Sequence, residues 1–204
     1  MALTFDDTDQ ADIDTAIVEG GKIWSNACLD RLKRKIKEHF TDAPHSKCCY
    51  CARLLVGEFN MVIDIEHILP QHHYPDERFV IQNLNVACKR CNMEIKKGDL
   101  SFIVNAQAMG TGYYESRHYH FIHPNLDDYS THIVLTTIRI ADLILNKYVL
   151  KNNGKAKFTY DYFKLKELEI DTLNRAQGLQ ETPVLDRKLS DGLRRSLEAL
   201  IHKI

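Results

Sequence analysis

Cys48-Cys49-Tyr50-Cys51 and Cys88-Lys89-Arg90-Cys91 each set two thiols on one tight turn. Two such turns supply four sulfurs in a tetrahedron, the geometry of a closed structural zinc site with no open position for water. Cys49 is left out, because adjacent residues on a turn point in divergent directions. The plain alternative is four buried thiols that bind nothing, and paired C-x-x-C spacing weighs against it. Between the pairs, residues 52–87 leave room for a strand and a working loop. There the chain reads Asp64-Ile65-Glu66-His67-Ile68-Leu69-Pro70, then Asn83-Leu84-Asn85 ahead of the second pair. Asn92 follows that pair directly, and Lys96, Lys97 and Gly98 close the stretch. Histidine ordinarily titrates near neutrality, which suits His67 to take a proton from water. A carboxylate such as Glu66 and an amide oxygen such as Asn92 are hard ligands, suited to Mg²⁺ or Mn²⁺ rather than zinc. A base for water and a cation for the charge on phosphate are what phosphodiester hydrolysis demands.

With its residues in this order and near this spacing, the stretch resembles the HNH nuclease family (the ββα-metal or His-Me finger group) in its zinc-knuckle branch. The family pattern is an acidic residue before a His, Pro three residues on, Asn-Leu before the second knuckle, and His or Asn directly after its last Cys. The match covers about a quarter of the chain. The resemblance implies that His67 is the general base, that Glu66 and Asn92 hold the catalytic metal, and that Asn83 ties the loop down and orients His67. It implies phosphate contacts from Lys96 and Lys97, with Lys89 and Arg90 of the second knuckle adding to a nucleic-acid surface, DNA first among substrates. Asn83 and Asn85 compete for the structural role, and Asn83 is preferred because it directly precedes Leu84. Two departures imply loose cation binding: Glu66 stands where the family usually has Asp, and Asn92 is the accepted variant of His. Gln71-His72-His73-Tyr74 also lacks the glycines common after the motif's Pro, and His72 and His73 are expected on a surface loop. Strand alternation turns Asp64 away from His67 and makes it a bystander.

The elements that must position these residues are legible in part. Residues 8–20 suggest a short helix, stopped by Gly20-Gly21. Trp24, Cys28, Leu32, Ile36 and Phe40 recur every four residues and predict a helix over 22–40, with Cys28 as a core residue. Its basic side chains either lie along a nucleic-acid backbone or form a solvated face. Alternation over 59–65 predicts a strand, Leu84 to Ala87 forms a short apolar segment, and a helix runs from near Cys91 to Gly98. Residues 132–150 are apolar and β-branched and fit strand or helix equally. Lys151 to Lys155 suggests a hairpin turn into a strand carrying Phe158, Tyr160 and Tyr162. Helices are expected over 163–177 and 186–203.

The resulting fold is α+β: an N-terminal helical region (1–47), the HNH module with its four-cysteine zinc site (48–99) and a mixed α/β extension (100–204). At 44% hydrophobic, the 204 residues suffice for a substantial core. A net charge of −1 does not suggest a nucleic-acid binder, but acids dominate up to Glu19 and bases from Lys22 to Arg53, and local patches are what contact phosphate. No apolar run approaches the ~20 residues that span a bilayer. The acidic opening lacks the pattern of a signal peptide, so the cytoplasm is the expected compartment. Downstream, Pro124-Asn125-Leu126-Asp127-Asp128 resembles a segment of HNH proteins in Septu-type and retron-associated anti-phage systems. That looser resemblance implies an ABC-type ATPase partner docking on the extension, whereas the plain reading has Asp127 and Asp128 capping a turn. The expected function is a metal-dependent endonuclease effector. Its alternative is a zinc-stabilised nucleic-acid-binding or scaffold module with a weak or inactive site.

Overall fold

The computed structural model describes residues 3–42, 46–58, 62–140 and 143–169. The chain divides into two compact units, Met1–Tyr129 and Ser130–Ile204. The fold is α+β, with helices, two small antiparallel sheets and a four-cysteine cluster. Among the described residues no helix is long and apolar enough to cross a membrane.

In the first unit, α1 (Asp7–Glu19) starts at a reciprocal cap: Asp6 Oδ1 accepts from Asp9 N and Asp9 Oδ2 from Asp6 N. Gly20 then leaves the helix at a φ of +70°, which glycine adopts without strain. The predicted helix over 22–40 is in fact two single 3₁₀ turns, Ile23–Ser25 and Ala27–Leu29, followed by α2 (Asp30–Thr41). The break lies at Asn26, whose extended backbone and side-chain bond from Cys28 N interrupt the helix, as asparagine amides do. Leu29, Leu32 and Ile36 form the buried stripe of α2 and pack with Ile13, Ala16 and Leu84. Cys28 lies at the edge of this core, its thiol on Asp12 O. Trp24, ahead of the break, packs against the same core and also faces His67.

β1 (Ile63–His67) and β2 (Leu84–Cys88) pair antiparallel, Ile63 opposite Cys88 and His67 opposite Leu84. β1 begins later than the alternation over 59–65 suggests, and residues 59–61 lie outside the described ones. The expected helix after the second knuckle is a π-helix, Arg90–Lys96, closed by a bond from Lys97 N to Asn92 O. Residues 100–129, assigned from sequence to the extension, fold within this first unit. Phe102, Tyr119 and Phe121 stack there, Tyr50 meets the edge of Phe121, and Asn125 bonds to Asn85, Gln82 O and Leu84 O.

In the second unit, β3 (Ile133–Ile140) and β4 (Leu143–Leu150) form one antiparallel ladder, which resolves the ambiguity over 132–150. The strand expected around Phe158, Tyr160 and Tyr162 is instead a helix, α3 (Lys155–Tyr162). Asn152 Oδ1 caps it by accepting from Ala156 N, and Phe158 stacks on Tyr162 four residues later, a helical rather than a strand neighbour. Leu165–Leu168 is a 3₁₀ turn, and the rest of the two expected C-terminal helices lies outside the described residues.

The α2 stripe holds α1 and the hairpin together, so its central leucine is a direct test of the packing. Leu32→Ala should lower the unfolding free energy by about 3 kcal/mol, read by urea denaturation of the zinc-loaded protein. A loss below about 1 kcal/mol would show that Leu32 is not in the core.

Candidate functional site: a cysteine cluster beneath a histidine cleft

The sulfurs of Cys48, Cys51, Cys88 and Cys91 all lie within 4.8 Å of one another, and all four residues are buried. Cys51 Sγ and Cys88 Sγ are 3.9 Å apart. A tetrahedron with Zn–S bonds of about 2.3 Å has edges of about 3.8 Å, so the spacing fits zinc. It is far too long for a disulfide, and all six cysteines are free. The turn of the first knuckle is fixed by backbone bonds from Cys48 N to Arg53 O and from Ala52 N to Cys48 O, and Cys49 N reaches across to Val86 O on β2. Neighbouring sulfurs hold the Cys88 thiol well below its ordinary range and push Cys91 far above it. Burial pushes the Cys49 thiol up, and Cys49 stands outside the cluster.

Above the cluster, strand alternation sends Asp64 and Glu66 to one face of β1 and His67 to the other. Asp64 and Glu66 meet the π-helix. Asn92 Nδ2 donates to Asp64 Oδ2 at 3.4 Å, and Lys96 Nζ lies 2.7 Å from Glu66 Oε1. Residues two apart on a strand are separated by about 6.6 Å, close to one helical turn, so two strand carboxylates match two helix side chains. The Glu66 oxygen also accepts from Tyr50 OH at 2.9 Å, and Lys96 donates to His67 O at 3.0 Å. Glu66 and Lys96 are each 1% exposed. Lys96 was expected to contact phosphate; its ammonium is instead buried in an internal pair and also lies over the Phe102 ring. Asp64, expected to be a bystander, faces Asn92 and lies 3.8 Å from Lys89.

His67 is 8% exposed. Trp24 meets its ring edge-on with centroids 4.4 Å apart, and Phe79 backs Trp24. Its Nε2 is 3.0 Å from Arg78 O. A carbonyl only accepts, so Nε2 carries the proton and Nδ1 keeps its lone pair. Burial lowers the imidazole from 6.5 to about 4, helped by the charges of Lys96 and Arg78 and opposed by the carbonyl bond. Asn83, also buried, clamps the loop after β1: its Oδ1 accepts from Leu69 N at 2.7 Å, and its Nδ2 donates to Leu69 O and Glu77 O. Asn85, its rival from sequence, bonds to Asn125. Asp127 caps a turn by accepting from His123 N and Ser116 Oγ.

A cleft of about 860 Å³ brings Asp64, Glu66, His67 and Asn92 together, with Lys89, Lys97 and His72 at its margin. Arg90 is not among its lining residues. A larger cavity of about 1010 Å³ behind Cys48 and Cys49 contains none of these candidate catalytic side chains. The sequence reading missed Tyr50 and Trp24 as partners of the site. Trp24 was hidden in an apparently regular helical stripe, and nothing local in the sequence marks Tyr50 as the donor to Glu66.

The chain is 28% identical over 151 residues to the Septu protein PtuB of Bacillus thuringiensis. The match covers 74% of this chain and 46% of that relative, so the chain spans less than half the relative's length. No protein-family model matches, and no solved structure matches.

Two outcomes are expected of these side chains. Cys51→Ser and Cys88→Ser should each lose stoichiometric zinc, measured by metal analysis; retention of full zinc in both would refute the cluster. His67 should titrate near 4 by NMR, well below histidine's ordinary 6.5. Its folded value is depressed, so the stability it contributes is present above 6.5 and is lost as pH falls through about 4. Titration at or above 6.5 would contradict the burial described.

Proposed function

We propose that the chain is a metal-dependent endonuclease of the HNH type, acting on DNA as the effector of an anti-phage defence system. In this reading β1, β2 and the π-helix are the ββα-metal unit. The observation that carries it is His67: its Nε2 is committed to Arg78 O, which leaves Nδ1 its lone pair, and the residue lines the same cleft as Asp64, Glu66 and Asn92. Nδ1 takes the proton of the attacking water; burial keeps the ring neutral, and Trp24 and the carbonyl bond orient it. Asn83 fixes the loop that follows His67. Asp64, Glu66 and Asn92 offer hard oxygens, a donor set that fits Mg²⁺ or Mn²⁺ with water completing the shell. Since Glu66 Oε1 is taken by Lys96 and Tyr50, Oε2 is the oxygen left for a cation. When bound, that cation supplies charge stabilisation for the phosphate and its leaving oxygen. The likeness to PtuB supports the defence role, and the Pro124 to Asp128 segment supports an ATPase partner.

A second reading, a binding or scaffold module with an inactive site, is favoured by the same Glu66–Lys96 pair, which already neutralises one expected metal ligand. Plasmid nicking with Mg²⁺ or Mn²⁺, with and without an ATPase partner, separates the two. Cleavage that disappears in His67→Ala while zinc content is unchanged and the protein remains folded is the expected result. Full cleavage by that variant removes His67 from the chemistry, and no cleavage under any condition favours the scaffold.

A further inference from the structure

The basic run of α2 is divided by the helical period into two groups with different work. Arg31 and Lys35, four residues apart, turn toward α1. Arg31 Nη2 stands 2.8 Å from Asp9 Oδ1, an ion pair off the hydrogen-bond direction, and 3.1 Å from Asp12. Lys35 pairs with Asp6 and Asp9. Asp9 is fully buried, so these two cations neutralise the acidic start of the chain and hold α1 against α2. Arg34 and Lys37, three residues apart and neighbours on one face, turn the other way and line the cleft that holds His67.

The acids of the cleft are largely engaged. Asp30 takes Lys33 at 3.1 Å, Asp64 faces Lys89, and Glu66 takes Lys96. Around the rest of the lining, Arg34, Lys37 and Lys97 stand with Glu38, so the cleft presents a surplus of positive charge. Arg34 and Lys97 are exposed and have no ion-pair partner among the described residues. Lys37 is partly buried, lines the same cleft and feels both Asp64 and Lys89.

We infer that Arg34 and Lys37 on α2, with Lys97 of the same cleft lining, form a cradle for the phosphodiester backbone of a nucleic acid and lead it to His67. The inference deepens the nuclease reading and rests on it. A surplus of cations lining a cleft is what a polyanion selects, and nothing in the arrangement reads bases.

The test is fluorescence anisotropy with a short labelled DNA duplex, using zinc-loaded His67→Ala protein without added Mg²⁺ or Mn²⁺. Adding Arg34→Ala and Lys37→Ala together should weaken binding roughly tenfold and reduce the slope of log affinity against log salt by about 2. The control Arg53→Ala, which removes a single charge outside the cleft, should change neither. A similar loss with single-stranded RNA supports recognition of the backbone itself. Unchanged affinity and slope overturn the cradle, as does cleft-dependent binding of polyglutamate with none of DNA. Failure of the two readings looks different. If wild type never cleaves but the double variant loses binding, the cradle stands and the nuclease falls. If cleavage and binding both survive in an Arg34→Ala, Lys37→Ala protein with His67 intact, the cradle falls and the nuclease stands.

Discussion

Four sulfurs packed within 4.8 Å of one another cannot all ionise in a buried site unless a cation shares them. Zinc would meet that requirement at the spacing observed, and in doing so it would join three parts of the chain. These are the turn at Cys48 to Cys51, the last residue of β2 and the first turn of the π-helix. The helix is thereby held across one face of β1, which is why Asn92 meets Asp64 and Lys96 meets Glu66. Without that clamp, two paired five-residue strands and a seven-residue helix would be held together by side-chain contacts alone.

The buried Glu66–Lys96 pair is the second constraint. Removing either partner from such a pair typically costs about 3–5 kcal/mol, because the other charge is left stranded. Replacing both with apolar residues is often neutral, so stability alone does not explain the pair's presence. Its geometry gives a better account. One ammonium touches the Glu66 carboxylate and the His67 carbonyl, and Tyr50 reaches the same carboxylate from the knuckle. The zinc turn, the strand end and the helix are thus joined by hydrogen bonds as well as by sulfur, and these bonds fix the rotamers of both the acidic and the basic side chain.

Much of this was legible in the sequence where spacing is local. The cysteine cluster, α1, the β2 segment and the shared cleft of Glu66, His67 and Asn92 follow from short-range pattern and motif order. What was not legible depends on long-range packing or on a single competing bond. Lys96 looks like a phosphate contact until the helix turns it inward. Asp64 looks like a bystander until the π-helix brings Asn92 to it. Trp24 sits in four-residue register with the α2 stripe and packs against its core, yet the helix breaks at Asn26 and the indole also meets His67, which the register does not reveal. The tyrosine and phenylalanine of 158–162 alternate like a strand, but a cap at Asn152 and an i,i+4 stack make them a helix.

Charge shows the same separation between composition and place. A net charge of −1 describes a chain whose acids and bases are largely matched in number, and it hides which ones are matched in space. Asp6, Asp9 and Asp12 are engaged by Arg31 and Lys35 at the α1–α2 contact, so the acidic opening does little to offset the opposite face of the same helix. The field at the cleft is set by the residues that line it, and those of α2 include Arg34 and Lys37. An acidic segment placed early in the chain and a basic segment after it therefore do not cancel as a ligand would see them. The first folds onto one face of the second and leaves the other face to the cleft.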